Sequence, residues 1–275
     1  MTSKPFRFAL QAVPQNGAQW LGVAQRAESL GYSSLLTADG LQLLSPLPAL
    51  ALAAGATKTL RVGTFVLASP LRLPRLMAWD AHSLSLLSGG RFEFGIGTGR
   101  PEVVSQAAEL TGQPPASAGQ RLALAEQAID ELRGFDGDDH HTPVLVAAAG
   151  PKALALAAAK ADIVTIATGP LAERAEVGRL IAQTKDAAGD RADAIEFANP
   201  IFVVGDEAPP WVTQFLRADL ATLIARESLQ VLRGTAQQMA DEMQRRRDTL
   251  GFSYITVNAA FADQMGPVVE LLDSR

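Results

Sequence analysis

The chain has 275 residues, 48% of them hydrophobic, a formal net charge of −5 and no cysteine. The lack of thiols excludes disulfides, thiolate metal sites and cysteine nucleophiles. An acidic balance with no long charged run excludes a general nucleic-acid surface and charged tails.

The opening stretch, MTSKPFRFALQAVPQ, has one short apolar run and then Pro14. It lacks the longer apolar core of a signal peptide, and no later stretch reaches membrane-spanning length uninterrupted, so a soluble cytoplasmic protein is expected, with no membrane partner. The first strand-like run is FRFALQA (6–12). A helix over roughly 16–30 carries Trp20, Val23, Ala24, Ala27 and Leu30 on one stripe and stops at Gly31. SSLLTAD (33–39) is the second run, followed by an apolar helix. LRVGTFVLA (60–68) is the third, with a helix starting near Pro74. RFEFGIGT (91–98) is the fourth, followed by polar sequence containing Gly and Pro and then one helix near 119–133. PVLVAAAG (143–150) is the fifth, and Pro151 opens the next helix. DIVTIAT (162–168) is the sixth, with a helix over 171–188. AIEFANPIFVVG (194–205) is the seventh, with helical patterns over 211–228 and 235–250. YITVNAAF (254–261) is the eighth, before a last amphipathic stretch.

Eight strand-like runs alternating with helices, without a linker, predict a single-domain (β/α)8 TIM barrel over residues 1–275; a doubly wound open sheet is the alternative. Residues 87–102, LSGGRFEFGIGTGRPE, concentrate five glycines. They do not form a dinucleotide fingerprint, because Gly95 and Gly97 are followed at the sixth place by Arg100. No Gly-Lys-Ser/Thr of a phosphate loop appears either. As a strand the run alternates Phe92, Phe94 and Ile96 against Glu93, Gly95 and Gly97. Glycine on a strand admits a close neighbour, and Gly97 and Gly99 are expected to let a flat ring or phosphate tail approach bare main chain.

Residues 59–102 resemble the luciferase-like monooxygenase superfamily, in particular its coenzyme F420-dependent oxidoreductase branch. The motifs are Arg61-Val62-Gly63-Thr64, Arg72-Leu73-Pro74 and Ser88-Gly89-Gly90-Arg91. Residues 24–39, 144–167 and 232–257 are similar to further segments of that family. The resemblance implies a barrel with a deazaflavin, coenzyme F420, or alternatively reduced FMN, at its C-terminal mouth, acting on a small organic substrate. It also implies a strand-three bulge at Phe65-Val66-Leu67 pressed against the ring, and a homodimer. Helix 74–88, with Leu76, Met77, Trp79 and Leu84, is the candidate dimer face. A catalytically inactive barrel is a further alternative.

Barrel chemistry belongs at the C-terminal strand ends. This picks out Asp39, Phe65, Val66, Thr98, Gly99, Arg100, Ala149, Gly150, Lys152 and Thr168 for cofactor binding. AAGPK (148–152) offers free N–H groups to a phosphate at a helix start, and Arg100 suits an anionic tail or a substrate carboxylate. Relatives commonly carry Asp-His after strand two, where this chain reads Asp39-Gly40. The ring-side histidine is missing, and Gly40 is expected to open space over the ring. An acid or base would then have to be Asp39 or Glu102, its pKa raised by burial. His82 reads as a packing or surface residue, and His140 and His141 precede strand five at the opposite end. No metal site is expected, since no histidine–carboxylate set has ligand spacing.

Overall fold

A computed structural model describes residues 4–273. Its strands are β1 (Arg7–Gln11), β2 (Ser34–Thr37), β3 (Arg61–Thr64), β4 (Leu67–Ala68), β5 (Phe92–Gly97), β6 (Val144–Ala148), β7 (Ile163–Ile166), β8 (Glu196–Ile201), β9 (Val203–Val204), β10 (Val231–Leu232) and β11 (Phe252–Asn258). All pairings are parallel. The order β3-β2-β1-β11-β8-β7-β6-β5-β4 closes on itself because β3 and β4 both pair with β5, Val62 opposite Phe92 and Leu67 opposite Ile96. β3 and β4 are thus one barrel strand in two pieces, and the barrel has eight staves. The open-sheet alternative is excluded. β9 and β10 form a separate two-stranded ribbon at the mouth.

The helices are α1 (Gly17–Ser29), α2 (Pro46–Gly55), α3 (Pro74–Leu87), α4 (Pro101–Thr111), α5 (Ala118–Asp136), α6 (Pro151–Lys160), α7 (Arg174–Ala188), α8 (Pro210–Leu216), α9 (Leu220–Ala225), α10 (Ala236–Leu250) and α11 (Ala262–Asp273). Proline opens α2, α3, α4, α6 and α8, where its fixed φ suits the helix and its missing N–H costs nothing. Ser117 and Thr235 close capping boxes on α5 and α10. The sequence reading missed α4, whose buried stripe is only Val103 and Ala107. It also ran together α8 and α9, which are separate short helices.

Alternation assigns the two faces of each stave. Phe92, Phe94 and Ile96 face the helices in the main core, each worth about 1.5–3 kcal/mol on burial. Ala9, Leu36, Leu145, Ile163, Ala198 and Tyr254 form a second cluster inside the bore. Its N-terminal end is closed by charge. Glu93, fully buried, accepts from Arg7 Nη1 and Arg61 Nε at 2.8 Å each and from Tyr254 Oη at 2.7 Å. Arg7 also pairs with Glu196 and lies 4.1 Å over the Tyr254 ring. In a barrel of this kind the site is expected at the other end, where the staves reach their C-terminal ends.

Candidate active site

The third stave leaves the ladder at Phe65 and Val66, joined by a cis peptide bond. Both residues are half-buried and pack on the bore cluster from above. Gly95 and Gly97 of β5 lie against this excursion. A Cβ at Gly95 would collide with the Thr64 carbonyl oxygen, and one at Gly97 would stand 2.9 Å from Val66 Cγ2 and 3.4 Å from Ala147 Cβ. The expectation that Gly97 bares main chain for a ligand is therefore corrected. The room is taken by the protein's own third stave, and the glycines serve to bring Phe65 and Val66 over the bore. Gly99, at φ +79°, turns the chain past Ala68 and Pro70 toward α4.

Asp39 has a structural task. Its side chain is buried, Oδ2 accepts from the Ala68 amide at 3.0 Å, and both oxygens pair with the Arg72 guanidinium, the Nη2–Oδ1 distance being 2.9 Å. The loop after β2 is thereby bolted to β4. A carboxylate held by two guanidinium donors and an amide is not a free proton carrier, which corrects the acid/base role expected for Asp39. Gly40 does not open space either. The Gln42 amide lies over it, within 2.7 Å of where a Cβ would sit, and is held by Gln106 Nε2 at 2.7 Å.

Glu102 lies on the exposed side of α4, paired with Arg217 at 2.9 Å. That placement corrects its expected role as a buried acid. Arg100, just before α4, stacks 4.3 Å over the Phe215 ring, and partial burial lowers its pKa despite nearby Glu102. Phe215 in turn packs on Phe202 at 5.1 Å. The segment 205–230, with α8 and α9, thus reaches from the stave β8 across to α4 and roofs one side of the mouth. The sequence signal for this roof is Trp211 and Phe215, within a segment of mixed apolar and polar residues. Thr98 is fixed by Arg121 of α5, whose Nε donates to its carbonyl at 2.8 Å; Arg121 was also missed.

Ala149, Gly150 and Lys152 are exposed on the rim at the start of α6, and Thr168 is half-buried on the neighbouring loop. α6 has no side-chain cap, so its first amides stay available to an anion. The residues there are of the kinds a flat ring with an anionic tail would need: Phe65 and Val66 are apolar and the α6 start offers donors. The histidines lie elsewhere. His82 Nδ1 meets Asp136 at 2.8 Å beside Phe135, His140 Nε2 meets Ser85 Oγ at 2.8 Å, and His141 Nε2 meets Asp162 at 3.0 Å. Asp136 is kept below the usual carboxylate range: burial acts against this, but bonds from His82 and Thr142 outweigh it. No group of three or more metal-ligating side chains occurs among the described residues, and no helix there is long and apolar enough to cross a membrane.

Comparison with known proteins agrees with this architecture. Over 159 residues the chain is 30% identical to the uncharacterized protein Mb0965c of Mycobacterium bovis and to Rv0940c of Mycobacterium tuberculosis. That match covers 49% of this chain and about half, 53%, of the length of either relative. An F420-dependent secondary alcohol dehydrogenase, in complex with an F420-acetone adduct, superposes with a TM-score of 0.74 at 17% identity, covering 98% of both chains. The long-chain alkane monooxygenase LadA gives 0.78 at 14% identity, covering 100% of this chain and 92% of that one. The tetrahydromethanopterin reductase of Methanopyrus kandleri, coenzyme F420 dependent, gives 0.70 at 16%, covering 98% of both. At such identities these likenesses show the fold alone. The family model for luciferase-like monooxygenases matches residues 4–248, and the chain belongs to that family.

Proposed function

We propose that the chain is an oxidoreductase that uses coenzyme F420 to exchange hydride with a small organic substrate at the C-terminal mouth of the barrel. The observation that carries this reading is the mouth itself: a half-buried Phe65–Val66 floor with the uncapped start of α6 on its rim. Bound there, a deazaflavin supplies the hydride chemistry. Phe65 and Val66 support the ring, the Ala149, Gly150 and Lys152 amides and Arg100 take the anionic tail, and the roof carrying Phe215 limits water. Asp39 and Glu102 are both engaged in ion pairs, which supports hydride delivery with solvent as the proton source. Fluorescence titration of the protein with F420, FMN and reduced FMN tests the reading. F420 is expected to bind at least tenfold more tightly than either flavin. Preference for reduced FMN would replace it with a monooxygenase, and a folded barrel that binds none would replace it with a non-catalytic one.

The chain is further proposed to form a homodimer through α3. Leu73, Leu76, Trp79 and Leu87 are exposed there, Leu87 to 85%, beside exposed Leu52 of α2. Met77 and Leu84, assigned to this face from the sequence, are buried, because α3 turns them inward.

A further inference from the structure

Side chains along each stave alternate between the helices and the bore. Ala9, Leu145, Ala198 and Tyr254 belong to the bore cluster. Gln11, Ala147, Pro200 and Thr256 stand two places further along the same strands, so they face the bore nearer the mouth. Gln11, Ala147 and Pro200 are half-buried, like Phe65 and Val66. The Glu93 plug closes the other end, so this exposure opens through the mouth. None of these residues is ionised. Gln11 Nε2 donates to the hydroxyl of Thr256, which is fully buried. That bond fixes the carboxamide and leaves Gln11 Oε1 as an acceptor that no donor among the described residues reaches. It is not one of the unpaired polar atoms shut off from solvent. Only β2 separates β1 from the third stave, which carries the Phe65–Val66 floor.

We propose that Gln11 is a substrate-binding residue of the mouth, and that it selects a small neutral molecule with an apolar body and a hydroxyl donor. This rests on the hydride reading above, in which the flat ring occupies the Phe65–Val66 floor. A ligand that covers Gln11 Oε1 displaces its water, and the acceptor is then satisfied only by a donor the ligand brings. A site built around such an acceptor rejects an analogue that lacks the donor. A carboxylate or an ammonium would shed its water against a bore wall with no ionised side chain at this level to meet it. A neutral carboxamide orients the hydroxyl and takes no proton from it.

The test uses the full chain, isotope-labelled, alone and with saturating F420, while amide shifts are followed by NMR. The probes are cyclopentanol, its methyl ether, cyclopentanecarboxylate and cyclopentylammonium. Cyclopentanol is expected to move the Gln11 side-chain amide and the main-chain amides of 256–258, with an affinity roughly tenfold above that of the ether. The two ions are expected to bind more weakly than the alcohol. Gln11→Leu is expected to bring cyclopentanol down to the affinity of the ether. Gln11→Glu can still accept from the Thr256 hydroxyl, and it is expected to turn the preference toward cyclopentylammonium, a switch that a merely structural role would not produce. Equal binding of alcohol and ether, tighter binding of either ion to the unaltered protein, an unchanged preference in a folded Gln11→Glu, or no response of these amides would each overturn the proposal. The ranking of probes on the unaltered protein decides the matter even if neither variant folds. Failure of F420 to bind would strike the hydride reading while the ranking on the chain alone still reports on Gln11.

Discussion

Thr64 and Gly95 are hydrogen-bonded to each other twice, the Gly95 amide donating to Thr64 Oγ1 at 2.9 Å and that hydroxyl donating to the Gly95 carbonyl at 2.7 Å. One side chain thus replaces the main-chain ladder where the third stave departs toward Phe65 and Val66. Gly95→Ala forces a Cβ into the Thr64 carbonyl group, whose carbon would be only 2.9 Å away. Backbone on both sides prevents relief, and a loss of about 3 kcal/mol or more is expected in urea unfolding. Thr64→Val keeps the volume but strands a buried amide and carbonyl, at a cost of about 1–3 kcal/mol. Wild-type stability in Gly95→Ala would refute the packing described.

Asp39→Asn separates a structural carboxylate from a proton carrier. It weakens the pairing with Arg72 and the hold on β4, so stability and cofactor affinity are expected to fall together, stability by about 3 kcal/mol, as for other broken buried pairs. A fall in kcat alone, with unfolding midpoint and affinity unchanged, would restore the acid/base role.

Arg100 and Glu102 are neighbours with different expected importance. Arg100→Ala is expected to weaken F420 binding roughly tenfold and to flatten its salt dependence, since it removes a cation from the rim. Glu102→Gln removes an exposed pair and is expected to leave binding and turnover within about twofold. Isothermal titration at two ionic strengths distinguishes them.

The charged plug below the bore sets an acid limit. Burial alone would raise the Glu93 pKa, but Arg7 and Arg61 outweigh it and the net shift is downward. A carboxylate lowered on folding contributes stability above its unfolded pKa and loses it as pH falls through the folded one. The unfolding free energy is therefore expected to decline below about pH 4.3, the ordinary glutamate value. Glu28 adds to the same trend. Hydrogen bonds donated by the backbone N–H groups of Thr59, Leu60 and Lys58 bring it to about 2. Glu28→Gln is expected to flatten the decline between pH 4 and 2, which stability curves against pH would show.

The exposed stripe of α3 predicts association. Wild-type protein is expected to sediment as a dimer, and the double variant Leu76→Glu, Trp79→Glu as a folded monomer. A monomeric wild type at micromolar concentration would remove the dimer from the proposal.

Much of the fold was legible before any coordinates. Alternation in RFEFGIGT reports which residues face the helices, because a strand's side chains alternate by geometry. Pro74 and Pro151 mark helix starts through the fixed φ of the proline ring; Pro101 opens α4 in the same way but is not legible as a start, because the buried stripe behind it is only Val103 and Ala107. These signals sit within a few neighbouring residues, so the count of staves and their registration with helices could be read along the chain. The side-chain contacts of the three histidines, with Asp136, Ser85 and Asp162, also lie away from the mouth.

The site was less legible, because its determinants are pairs distant in sequence. Asp39 reads as a free acid until Arg72 and the Ala68 amide close on it. Gly97 reads as an open approach until Val66 takes the space. Gly40 reads as a gap until Gln106, 64 residues away from Gln42, holds that side chain over it. The roof over the mouth comes from segment 205–230 because a closed ring brings the end of β8 within reach of α4. Local stereochemistry is written in adjacent residues and survives in any fold. The occupant of a glycine's missing side chain, or the partner of a carboxylate, is chosen only when the barrel closes and sets segments distant along the chain against each other.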